Sequence, residues 1–233
     1  MWMKDWDQTV ERNYYFWVIR NSSTTIIVDA GVSPEIAKQR GLNNYISPQE
    51  ALKTIDIDAK SVKHVILTHI HWDHAGGIGL FPNATVYVQN QEYKFWMKDS
   101  IARSSAFSFF WDDVLPAELE SIETSGRLKL IDGDRHINSG VECLLAPGHS
   151  VALQAVAVNT PQGTAVIGSD CGHFFANYKQ EWPSSLIVDL PGWISSFQKL
   201  RAKVSSAELL FPGHDPLMSK NYPEIAEGIT KLV

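Results

Sequence analysis

The run Thr68-His69-Ile70-His71-Trp72-Asp73-His74-Ala75-Gly76-Gly77 constrains this chain more than any other stretch. Four metal-competent side chains fall within six residues, directly after Val62 to Leu67, an apolar, β-branched run that reads as a buried strand. Residues 69 and 71 alternate, so they can point one way from an extended segment, with Asp73 and His74 one turn further on. Imidazoles joined by a carboxylate suit zinc and, less selectively, iron, manganese or cobalt. A merely solvated loop has no use for Gly76 and Gly77, which let the backbone turn and pack closely.

A chain of 233 residues fits one large α/β domain or two small ones; we expect a single domain over 1–233. Hydrophobic residues make up 44% and aromatics 11%, enough for a substantial core. The net charge of −6 argues against non-specific binding to nucleic acid or a membrane surface, so neither is expected as a partner. Only Cys143 and Cys171 occur, which is no disulfide framework. Met1 to Asp7 carries acids where a secretion signal needs a basic and then an apolar run. No uninterrupted apolar stretch is long enough to span a bilayer. The expectation is a soluble, cytoplasmic protein.

Tyr14 to Ile19 and Thr24 to Asp29 read as a hairpin closing in Asp29-Ala30-Gly31. Short helices are predicted over Pro34–Arg40 and over Pro48–Ile55, the latter capped by Ser47. After the histidine run, Ala75 to Phe81 reads as starting a helix that Pro82-Asn83 ends, and Ala84 to Gln89 as a strand. Gln91 to Ala102 suits a helix, within an aromatic-dense excursion (Phe95, Trp96, Phe107, Phe109, Phe110, Trp111). That patch has two readings, core filling or a hydrophobic wall for an apolar substrate group. Further strands are predicted at Arg127–Asp132, Val141–Ala146, Leu153–Asn159, Thr164–Gly168 and Ala207–Phe211, and helices at Gly192–Val204 and Tyr222–Val233. Strands followed by helices, twice over, suggest two sheets with helices outside them.

Three of these strands run into loops rich in Gly or Pro that present an Asp or a His: Pro147-Gly148-His149-Ser150, Ser169-Asp170-Cys171-Gly172-His173 and Pro212-Gly213-His214-Asp215. Function concentrates on loops held by a rigid scaffold. With these residues and the His-x-His-x-Asp-His run, the chain resembles the metallo-β-lactamase superfamily from about Tyr14 to Asp215. The resemblance implies a four-layer αββα sandwich carrying two divalent metal ions, with zinc expected first. It implies that His69, His71 and His149 bind one metal and Asp73, His74 and His214 the other, with Asp170 bridging them. The phrases Ile26-Ile27-Val28-Asp29-Ala30-Gly31, Val65-Ile66-Leu67-Thr68-His69, Trp72-Asp73-His74-Ala75-Gly76-Gly77 and Ala146-Pro147-Gly148-His149-Ser150 look most like the N-acyl-homoserine lactonase group.

That subgroup implies hydrolysis of a small-molecule lactone, and it leaves room for a homodimer. Two metals sharing a water lower its pKa from about 15.7 toward 7, giving a nucleophile at neutral pH. Asp170 and Asp73 then count as catalytic, Asp73 relaying a proton to the leaving alkoxide. Many such lactonases place a tyrosine three residues after the bridging aspartate; His173 stands there, and it or Tyr178 is expected to hydrogen-bond the substrate oxygen. The lead-in before the first hairpin is short, so a dimer contact or substrate loop of relatives is expected to be missing. A glyoxalase II-like thioesterase and a β-lactamase-like amide hydrolase are the alternatives, since either uses a similar cage. A di-iron redox protein is disfavoured, because such proteins carry a glutamate where His71 stands and an attached flavin domain. His64 reads as a packed or edge residue, His136 as lying in a solvated turn, and Cys171 as pointing away from any metal.

Overall fold

Apolar β-branched runs such as Ile26-Ile27-Val28 and Val65-Ile66 can pair in parallel only if both faces are covered. The computed structural model, which describes residues 1–233, contains such a sheet. By its internal contacts the chain divides into two compact units, one of residues 14–131 and 224–230, the other of residues 1–13, 132–223 and 231–233.

In the first unit β1 (Trp17–Arg20), β2 (Thr25–Val28), β3 (His64–Ile66), β4 (Thr85–Gln89) and β5 (Leu128–Ile131) lie in that order. The β1–β2 hairpin is antiparallel and the other pairings are parallel. Asn21 closes the hairpin turn, its side-chain oxygen accepting the N–H groups of Ser23 and Thr24. Five helices belong to this unit: α1 (Pro34–Arg40), α2 (Pro48–Thr54), α3 (Trp72–Ala75), α4 (Asn90–Lys98) and α5 (Leu115–Thr124). Two serine caps set the starts of α1 and α2. Ser33 accepts from the Ile36 N–H, and Ser47 forms a reciprocal capping box with Glu50. The core joins Ile27, Val65 and Val86 of the sheet to Leu52, Trp96, Leu115, Leu119 and Ile122 of the helices.

The second unit pairs β6 (Arg135–Asn138), β7 (Val141–Leu145), β8 (Gln154–Thr160) and β9 (Gly163–Ser169) as an antiparallel meander, with β10 (Leu210–Pro212) parallel to β9 at the edge. Its helices are α6 (Phe175–Gln180), α7 (Leu190–Lys203) and α8 (Leu217–Asn221). Helix α7 buries Trp193, Phe197 and Leu200 with Leu144, Ala155, Val166 and Leu210 of the sheet. Tyr178, Phe197 and Trp193 form a stack with ring planes within 6°. No helix is long and apolar enough to cross a membrane.

Four expectations need correction. The helix predicted from Ala75 lies earlier: α3 covers Trp72–Ala75 on the motif itself, and only a 3-10 turn, Ile78–Leu80, follows. The predicted last helix, Tyr222–Val233, is absent: α8 ends at Asn221, and a small hairpin follows, β11 (Glu224–Ala226) with β12 (Ile229–Thr230). Ala207–Phe211 starts as a 3-10 turn and is extended only from Leu210. His136 sits in edge strand β6 rather than in a turn, exposed and 3.6 Å from Glu142.

Candidate metal centre

The first cluster is built on the ends of β2 and β3. Asp29, just past β2, adopts a left-handed φ of 60°, a conformation that non-glycine residues keep only where surrounding contacts enforce it. Its buried carboxylate accepts the Thr68 N–H at 2.7 Å, the Thr68 hydroxyl at 2.9 Å and His74 Nδ1–H at 2.7 Å. Burial pushes the Asp29 pKa up, while the neighbouring His74 and the hydrogen bonds from Thr68 work to lower it. One carboxylate thus ties the start of the motif, just past β3, to the helix α3 within it. Glu92, fully buried on α4, performs a second tie: its Oε1 accepts the Ile70 N–H at 3.2 Å and Trp96 Nε1–H at 2.7 Å.

Within this frame the rings of His69 and His71 lie 4.3 Å apart, those of His69 and His74 4.2 Å apart, and Asp73 Oδ2 is 3.7 Å from His74 Nε2. All four side chains are buried or nearly so. Gly77 meets the expectation of close packing, because a Cβ there would collide with the Ala30 carbonyl oxygen. His64 is a packed residue, its Nδ1 3.2 Å from the Tyr87 hydroxyl.

The second cluster gathers at the ends of β7, β9 and β10. Ser169, at the end of β9, has a left-handed φ of 46°, and the β9–β10 register shifts between Phe211 and Pro212. Such a local break re-aims side chains away from the pleat. Asp170 emerges there and lies against Gly213, where any Cβ would strike its carboxylate. His149 Nε2 is 3.2 Å from Asp170 Oδ2, His173 Nε2 is 3.2 Å from the same oxygen, and His214 Nε2 is 3.1 Å from both oxygens. The candidate ligand atoms of His149, Asp170 and His173 all lie within 4.8 Å of one another. His173, expected as a hydrogen-bond donor, lies directly beside the candidate ligand atoms. Its burial pushes its pKa down and so favours the neutral ring, against the pull of Asp170.

The ring orientations test whether these residues fit a metal. His74 Nδ1 faces Asp29, His149 Nδ1 faces the Leu186 carbonyl at 2.9 Å, and His214 Nδ1 faces the Asn13 carbonyl at 2.7 Å. Those partners accept, so each ring donates through Nδ1 and turns Nε2 into the site. In His149 and His214 that Nε2 faces an Asp170 oxygen at 3.1–3.2 Å, and imidazole nitrogens gathered on a carboxylate in this way are placed to coordinate a divalent cation. The donor set fits a metal.

Cys171 is no ligand. Its side chain belongs to the buried core with Trp193 and Phe197, and burial pushes its thiol up to about 12. Tyr178 does not replace the missing tyrosine either. Its half-buried ring fills space left by Gly168 and Gly172 and stacks on Phe197, and desolvation, with the Cys171 and Asp170 charges beside it, moves the hydroxyl's pKa well above the usual phenol value. Sequence reading missed Asp29 and Glu92 as supports. Asp29 had appeared only as the end of a turn, and nothing local distinguishes Glu92 from a surface helix residue.

The chain belongs to the metallo-β-lactamase superfamily, matching that family over residues 10–214. It has the superfamily's fold, two mixed sheets flanked by helices, and is a hydrolase with buried His/Asp clusters that suit two metals. Among its relatives is the N-acyl homoserine lactonase of Bacillus thuringiensis, 26% identical over 227 residues, spanning 89% of this chain and 84% of that one. A solved N-acyl homoserine lactone hydrolase is 25% identical with a TM-score of 0.73, over 92% of this chain and 84% of its own. Another, 23% identical with a TM-score of 0.75 over 92% and 86% of the two chains, has the product N-hexanoyl-L-homoserine bound at its catalytic metal centre.

Proposed function

We propose that this protein opens lactone rings, of N-acyl-homoserine lactones or related cyclic esters, at a pair of divalent metal ions. His69, His71 and His149 would hold one metal and Asp73, His74 and His214 the other, with Asp170 shared. The observation that carries this reading is the orientation of His74, His149 and His214, each of which anchors Nδ1 on an acceptor and turns Nε2 into the site. All-nitrogen and carboxylate ligation favours zinc first, then iron, cobalt or manganese. The lactone preference takes its support from the relatives' activity.

Two bound divalent cations supply a nucleophilic water at neutral pH and a Lewis acid for the carbonyl oxygen. The residues do the rest. Asp170 keeps the imidazoles of His149 and His214 in register, and the Leu186 and Asn13 carbonyls stop those rings from rotating. Asp73, the least buried of the cluster at 9% exposure, can pass a proton to the departing alkoxide. That alkoxide stays tethered in a lactone, so one proton completes the step. Neutral His173 donates a hydrogen bond toward the oxygen on which charge develops.

The test is a substrate panel with zinc-loaded protein: homoserine lactones of several acyl lengths, an unsubstituted lactone, a glutathione thioester and a cephalosporin. Lactone turnover, lost to a chelator and restored by zinc, is the expected result. Thioester or cephalosporin turnover with inert lactones would overturn it.

A further inference from the structure

The aromatic excursion after α4 includes a six-residue 3-10 segment, Ser105–Phe110, with no buried residue. Surface segments of this kind sit at the low end of local stability unless something ties them down. Phe107 and Phe110 pack inward on Trp96, and the tie on the outer side is Arg40, the last residue of α1. Its Nη2 donates to the Phe109 carbonyl at 2.9 Å, and its guanidinium lies 4.0 Å from the Trp72 ring centre and 5.0 Å from that of Phe109. Trp72 directly follows His71, so one side chain clasps the aromatic segment and the metal-binding loop together.

The next residue shows what the clasp secures. Phe110 lies flat on the His71 imidazole, centroids 4.5 Å apart and planes 22° apart, while Trp96 meets the same ring edge-on at 5.2 Å. His71 is thus gripped by two aromatic side chains, one of which, Phe110, sits in a segment that Arg40 also ties from the outer side.

We propose that Arg40 is a positioning residue that latches Ser105–Phe110 over the metal loop, so that Phe110 fixes the orientation of His71 and slows metal loss. This goes beyond both sequence readings of the patch. The inference rests on His71 being a metal ligand, as proposed above, and not on the substrate being a lactone.

Three full-length variants test it: Arg40→Met, Arg40→Lys and Phe110→Leu. Hydrogen exchange over residues 105–110 reads the latch, and release of bound Co²⁺ to a chelator, with its visible absorption, reads the ligand geometry. In Arg40→Met, exchange over the segment accelerates about tenfold and Co²⁺ leaves several-fold faster, as expected for one lost hydrogen bond and two lost cation–π contacts. Arg40→Lys recovers part of both. Phe110→Leu shifts the cobalt spectrum and hastens release, with no change in circular dichroism. Unchanged exchange and release in Arg40→Met would overturn the latch, and an unchanged spectrum in Phe110→Leu would overturn the link to His71. A wild type that holds no Co²⁺ overturns the metal reading and this inference with it. A protein that holds Co²⁺ but opens no lactone leaves the latch standing and removes only the substrate.

Discussion

The two ligand clusters are assembled in opposite ways. His69, His71, Asp73 and His74 are neighbours along the chain, carried by one strand end and one turn of helix. His149, Asp170 and His214 are spread over three strand ends and meet only because β7, β9 and β10 share a sheet. The supports differ accordingly. The local cluster is braced by buried carboxylates, Asp29 and Glu92, which accept from backbone and rings alike. The dispersed cluster is braced by backbone carbonyls, of Leu186 and Asn13, and centred on the Asp170 carboxylate. A contiguous motif still needs distant anchors, and a dispersed one can be centred on a single carboxylate.

That contrast predicts where each cluster breaks. Asp170→Asn removes the charge facing three imidazoles, and turnover should fall by about 10³-fold, with metal content below two per chain by elemental analysis. Retained turnover would mean that Asp170 is not the shared ligand. His173→Phe should lower kcat by about 100-fold while metal content holds, since only a hydrogen-bond donor is lost. A fall in metal content with it would instead make His173 a ligand. Asp29→Ala sharpens the comparison from the other side. It leaves His74 Nδ1–H and the Thr68 N–H without their acceptor, so metal affinity should drop by about 10–100-fold in a chelator titration. The smallest effect concerns the thiols. Burial holds Cys143 and Cys171 up at about 12, so both remain protonated at pH 8 and neither should react with an alkylating reagent until the protein is unfolded. Rapid labelling of Cys171 in the folded state would place it on the accessible side of the Asp170 loop.

The sequence spoke clearly where the determinants were local. The helices read over Pro34–Arg40 and, with Ser47 as cap, over Pro48–Ile55 match α1 and α2 nearly to the residue, because a cap and a Pro at the first turn are short-range signals. Helix α5 was legible too and went unread, since Leu115, Leu119 and Ile122 repeat at helical spacing behind Pro116. The C-terminal error has a different origin. Tyr222–Val233 is apolar enough for a helix, but Gly228 takes a φ of 70° and turns the chain into a hairpin. The metal motif was recognisable as chemistry, yet its short helix was misplaced, because ligands rather than propensity decide that turn. Asp29 and Glu92 could not be identified as supports, since their partners lie 22 to 45 residues away.

The Asn13–His214 contact bears on how this protein folds. Asn13 and His214 exchange two hydrogen bonds, the Asn13 N–H to the His214 carbonyl and His214 Nδ1–H to the Asn13 carbonyl. The two residues are 201 positions apart, so a loop of that length has to close before the imidazole is oriented. Pairings of such long sequence separation are slow to form, which puts the orientation of His214 after the assembly of the strands that carry it.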